Sequence, residues 1–159
     1  MDPWLLTLTQ FAILAYAVLG GVFLAFSDFI MRALGRTSGG AEAMQSINRE
    51  VFRIAFIALF LGMVPLSLVL AIGGWVAATD PLRPVAAAVL YLVGCFAVTA
   101  AGNVPLNERL AGMDASTPQA RDWWATVYGP RWTRLNTVRT VACLAAAWLL
   151  LGALVQNGH

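Results

Sequence analysis

Six polar side chains in this sequence have the types and spacing to act on an ionisable organic molecule: Asp28, Asn48, Asn103, Asn107, Asn136 and Arg139. A guanidinium is a permanent charge that can hold an oxyanion, carboxamides can orient it, and a carboxylate can accept a proton. Asn103 and Asn107 are four apart, so they share a face wherever the chain stays helical. Trp132, Asn136, Arg139 and Cys143 recur at intervals of four, three and four, which is one face of a helix. Asn48 lies on an apolar stripe with Met44, Ile47, Val51 and Ala55, and Gln45 turns to a neighbouring face. Glu50 is a second carboxylate in this region. Each residue also has a plainer role: Asp28 as a solvated helix-end charge, Asn48 as an interhelical hydrogen bond, Asn103 and Asn107 as helix-end caps. Trp123, Trp124, Tyr128 and Trp132 crowd into one short stretch. They fit either an interfacial anchor or the lid and wall of a site for a flat apolar ligand.

Other chemistries are excluded by composition. The single histidine is His159 and the two cysteines, Cys95 and Cys143, sit inside apolar stretches. Bis-histidine haem and His/Cys zinc sites need more ligands than that, so no metal and no cofactor is expected. The cysteines read as small core residues. A net charge of +2, with no basic run, is far too weak for nucleic-acid binding.

The elements that position these residues follow from hydropathy. The 159 residues are 60% hydrophobic and 11% charged, against about 25% charged in a soluble domain. A spanning helix needs roughly 20 apolar residues, and segments at about 5–26, 54–78, 85–104 and 138–156 meet or approach this. The fold expected is all-α: one integral membrane four-helix bundle over residues 1–159, with Pro65 kinking the second span. Ala17, Gly21 and Ala25 form a small-residue stripe for close helix approach. Ser116-Thr117-Pro118-Gln119 reads as a helix start and Gly129-Pro130 as a break. Together they predict a separate, short cytoplasmic interfacial helix at about 118–128.

Four spans place residues 27–53 and 103–139 on one side, with nine of the ten arginines; Arg83 alone lies on the other. By the positive-inside rule the long loops are cytoplasmic and both termini extracytoplasmic, as in a bacterial inner membrane. Asp2, with no basic residue ahead of the first apolar segment, argues against a secretory signal. Trp4, Trp75 and Trp148 fall at the outer ends of their spans, as an aromatic belt would. This topology brings the six polar residues to one membrane level. The expected site is a cytoplasm-facing pocket, with Arg139, Asn136, Asn103, Asn107 and Asp28 doing chemistry. Asn48, Gln45, Trp124, Tyr128 and Trp132 would hold the substrate.

Four stretches, Gly21–Leu34, Ala43–Phe52, Asn103–Ala111 and Trp124–Thr140, resemble the anthrone oxygenase-like membrane proteins, long catalogued as a domain of unknown function. Asn-Val-Pro-Leu-Asn at 103–107 is the most specific part. The resemblance implies a four-helix membrane bundle that oxidises anthrones to anthraquinones with oxygen, without an evident metal or flavin. It sets Gln45, Asn48, Asn103, Asn107, Trp132, Asn136 and Arg139 on the family's characteristic positions. Two residues depart from the pattern: Asp28 replaces a small or hydroxyl residue, and Asn136 stands where some members carry histidine. A histidine base is therefore missing, and Asp28 or Glu50 would serve instead.

The function expected is a cofactor-independent monooxygenase acting on an anthrone-like or other phenolic substrate. Its partners would be a small apolar aromatic molecule and the lipid bilayer, with homo-oligomerisation left open. The alternative is a non-enzymatic binder or complex subunit whose polar cluster fixes helix packing. A transporter fits less well, because no inverted repeat is present.

Overall fold

The computed structural model describes residues 2–51, 54–77 and 80–157. These form five helices: α1 (Pro3–Gly35), α2 (Gly40–Glu50), α3 (Ile54–Ala77), α4 (Leu82–Ala111) and α5 (Pro118–Gln156). There is no strand among the described residues. Four helices, all but α2, are long and apolar enough to cross a membrane and fit an integral membrane protein. Backbone polar groups have no partner in hydrocarbon, so a chain this apolar folds as helices that satisfy them internally. The amphipathic α2 buries Ala41 and Met44 and leaves Glu42 and Arg49 exposed.

Three of the long helices outreach a bilayer. At about 1.5 Å per residue, α5 is roughly 58 Å long, against about 30 Å of hydrocarbon. α1 and α4 also run long, with 33 and 30 residues. The excess projects at one end, where α2 packs. The core accordingly has two parts. One surrounds Tyr16 and Tyr91 in the half of the bundle that holds Leu5 and Leu150. The other gathers Met31, Met44, Leu106, Leu110 and the aromatics Trp123 to Trp132 at the projecting end.

Two sequence expectations change here. Residues 118–128 are helical but not a separate interfacial helix: α5 runs on through Gly129 and Pro130. A wide turn explains this. Trp124–Tyr128 is π-helical, with the Gly129 N–H donating to the Trp124 carbonyl, five residues back. The widened turn lets proline, which lacks an N–H and crowds the preceding turn, continue the helix. α4 repeats the device, with a π-turn at Thr99–Asn103 two residues before Pro105. The helices around 85–104 and 138–156 are therefore longer than expected at those ends.

The second change is the packing stripe. Ala17 and Gly21 lie on the exposed face of α1. Gly20 makes the close approach instead: a Cβ there would lie 2.9 Å from Leu144 Cδ2 of α5. The helix start falls where the sequence placed it, with Pro118 in the first turn. Thr117 is the N-cap, its hydroxyl accepting from Ala120 N at 3.3 Å. Ser116 instead donates from its N–H and Oγ to Asp114, which holds that carboxyl below its usual range.

Candidate functional site

Arg139 projects from the middle of α5 and is only 5% exposed. Its Nη2 donates to Asn136 Oδ1 at 2.6 Å and its Nη1 to Thr99 Oγ1 at 3.2 Å. The guanidinium carbon lies 4.3 Å from the Phe23 ring centroid and 5.3 Å from that of Trp132. Two aromatic faces thus stabilise a cation that no carboxylate pairs with among the described residues. Its Nε is buried without a hydrogen-bond partner.

Asn136 holds Arg139 in place. Its Nδ2 donates to the Phe23 carbonyl at 2.6 Å and to Ser27 Oγ at 2.7 Å. The π-turn at Phe26–Ile30 begins just beyond Phe23 and loosens the helical bonding of α1 there. Asn136 therefore ties α5 to α1 with its nitrogen and orients the guanidinium with its oxygen.

From α4, Asn107 Oδ1 accepts from Tyr128 Oη and from Trp132 Nε1, each at 2.9 Å. Asn103 Nδ2 donates to the Trp132 carbonyl at 3.3 Å. That carbonyl fixes which end of the Asn103 amide faces it, since an oxygen there would be repelled. Asn103 Oδ1 is left buried without a partner. From α2, Asn48 Nδ2 reaches Tyr128 Oη at 3.4 Å.

Arg139, Thr99, Asn103, Asn107, Asn48 and Trp132 border a groove of about 780 Å³ between α1, α2, α3, α4 and α5. Its walls are mostly apolar, with Phe23, Phe26, Phe56, Phe60, Phe96 and Trp132 prominent. Ser46, Asn48, Glu50, Thr99, Asn103, Asn107 and Arg139 supply the polar lining. Size and lining match a site for a small organic ligand. The two buried unpartnered atoms, a donor on Arg139 and an acceptor on Asn103, belong to residues of this one groove. Buried polar atoms normally find partners, and each exception asks for an explanation.

Five of the expected residues thus border one groove: Arg139, Asn103, Asn107, Asn48 and Trp132. Asn136 stands directly behind Arg139, and Tyr128 behind Asn107. Arg139 bonds Thr99 and Asn136 rather than Asn103, Asn107 or Asn48. Three expectations are corrected. Asp28 is exposed and paired with Arg32 at 3.0 Å, outside the groove. Gln45 donates to the Leu110 and Met113 carbonyls at 2.8 and 2.9 Å, clamping the end of α4 rather than lining the groove. Trp124 stacks on Tyr128 at 5.1 Å and borders a different, smaller cleft.

Thr99, Phe23 and Ser27 were missed. Thr99 had a signal, since it precedes Asn103 and Asn107 at the same spacing of four. The roles of Phe23 and Ser27 depend on the π-turn in α1, which no spacing announces. Among the described residues, no three His, Cys, Asp or Glu side chains come together as metal ligands would.

The model of the family described as anthrone oxygenase matches residues 49–149, more than half of the chain. That span covers α3, α4 and the part of α5 that carries Asn136 and Arg139. Comparison with curated proteins and with solved structures found no match.

Proposed function

The chain belongs to the anthrone oxygenase family, and we propose that it oxygenates an anthrone-like phenol in the membrane without a metal or organic cofactor. The observation that carries this reading is one aromatic-walled groove bordered by Arg139 and Asn103, two residues that each keep a buried polar atom without a protein partner. An anthrone offers complements to both: a ketone oxygen that becomes an oxyanion and a neighbouring phenol that donates.

The chemistry asked of the protein is modest. Removing a proton from the methylene between the rings gives a carbanion whose charge rests largely on the ketone oxygen. Arg139 stabilises that oxyanion in a water-poor setting, where a preoriented donor is most effective. Asn103 orients the phenol, and Phe23 and Trp132 flank the guanidinium. Glu50, which lines the groove, is the proton acceptor in this scheme. The carbanion adds oxygen to form a hydroperoxide, which loses water to leave a second ketone. One oxygen molecule is consumed and one water released, so no outside reductant is needed.

A non-enzymatic binder is the second reading. It is favoured by Asn136 and Gln45, whose amide nitrogens are spent on ties between helices. Oxygen uptake with 1,8-dihydroxyanthrone, measured against a detergent-only control after chelator treatment, separates the two. The enzyme reading expects excess uptake, one oxygen per anthraquinone formed, that the chelator does not lower. No excess across a panel of anthrones and hydroquinones would leave the binder.

A further inference from the structure

We infer that the groove takes a membrane-dissolved phenol bearing an apolar tail, and that this ligand loads sideways from the bilayer between α3 and α4. The inference rests on the reading of the groove as a phenol site. α3 packs against the first part of α4, Leu82–Val89, and that packing falls away toward Thr99–Ala111. Residues from both sides of the resulting gap, Ile57 and Leu61 on α3 and Phe96 and Ala100 on α4, line the groove. Leu61 is 50% exposed and Ala100 is exposed as well. This rim carries no polar side chain.

Depth decides what the gap faces. Leu61 lies sixteen residues from the Ala77 end of α3, and Ala100 eighteen from the Leu82 end of α4. At 1.5 Å per residue both stand about 24–27 Å from those ends, within a hydrocarbon layer of about 30 Å. The gap therefore opens onto acyl chains. Among the described residues the lining is also exposed at Val22 of α1, which is apolar, and at Ser46 and Glu50 of α2, which are polar and lie at the projecting end.

A ligand with a single polar head matches this layout. The head lies against the polar lining at Thr99, Asn103 and Arg139, the rings lie among the phenylalanines, and an alkyl tail passes between Leu61 and Ala100 into lipid. A tail of this kind never has to enter water. Pro65 supports the geometry, since it withdraws the helical bond to the Leu61 carbonyl and lets α3 bend beside the gap.

The test uses the full chain in phosphatidylcholine nanodiscs and a dodecyl-substituted 1,8-dihydroxyanthraquinone. That probe is already oxidised, so its binding is read whether or not the protein is an oxygenase. Stopped-flow absorbance gives the association rate. Ala100→Trp and Leu61→Trp, which fill the gap, should slow it about tenfold or more, because loading then requires the helices to move. Val93→Trp, exposed elsewhere on α4, should not. Association as fast in both gap variants as in wild type would overturn the lateral route.

A second measurement needs no variant. With a fluorophore on the tail of the bound probe, nitroxide-labelled acyl chains should quench it and aqueous iodide should not; the reverse pattern overturns the proposal. Failure of the probe to bind at all would overturn the phenol site itself. Binding with iodide-accessible tails would remove only the membrane route.

Discussion

Arg139 carries a permanent charge deep in an apolar bundle, where charges are costly and usually face a cavity or a partner. Two rings, one threonine and one amide hold it, and none of them neutralises it. That is what leaves it available to an anion. Asn136 is the residue on which this depends, because its amide hydrogen-bonds both α1 and the guanidinium. Asn136→Ala should destabilise the protein by about 1–3 kcal/mol, since a buried donor and a buried carbonyl lose their partner. Unfolding of the purified variant checks this, and an unchanged midpoint would show that Asn136 does not hold the site. At this scale the sequence was informative where spacing was helical. The 132–136–139 face and the 103–107 pair were both readable. Asp28 misled because its residue type suggested chemistry while its place on the helix turned it outward.

At the scale of elements, wide turns account for much of the site and for most of what the sequence hid. Pro105 and Pro130 look like helix breakers, yet each follows a π-turn by two residues and the helix continues. Hydropathy located the spans, but proline and glycine rules cut α5 in two and ended α4 early. α2 is fixed differently. Gln45 supplies its amide hydrogens to the Leu110 carbonyl of α4 and to the Met113 carbonyl just beyond that helix. Gln45→Ala should therefore loosen α2 as a unit, with faster hydrogen exchange over Gly40–Glu50 and near Leu110, and little change in α3. Unaltered exchange in α2 would mean that burial of Ala41 and Met44 alone holds it.

For the whole molecule, the arginine distribution makes a prediction that the helices alone do not. Nine of ten arginines lie in or beside the connections at the α2 end, so that end should face the cytoplasm. Cys95 and Cys143 are both buried, which keeps the background of thiol labelling low. Cysteines introduced at Ser38 and Ser116 should resist an impermeant reagent in intact cells, and one at Asp80 should react. Labelling at both loop positions would reverse the orientation. The overall class was legible from 60% hydrophobic residues and four charge-poor segments. A pocket among the polar residues was legible too, but its apolar opening was not, because that arises where α3 and α4 part, and separation between helices leaves no mark on either one's periodicity.

The central claim is that Arg139 stabilises an oxyanion of a bound phenol, and an absorbance titration of 1,8-dihydroxyanthraquinone on the protein tests it without requiring turnover. Bound to wild type, the phenol should ionise about one pH unit lower than when bound to Arg139→Gln, since one unit corresponds to about 1.4 kcal/mol of preference for the anion. Identical midpoints on the two proteins, with the ligand bound to both, would contradict the account.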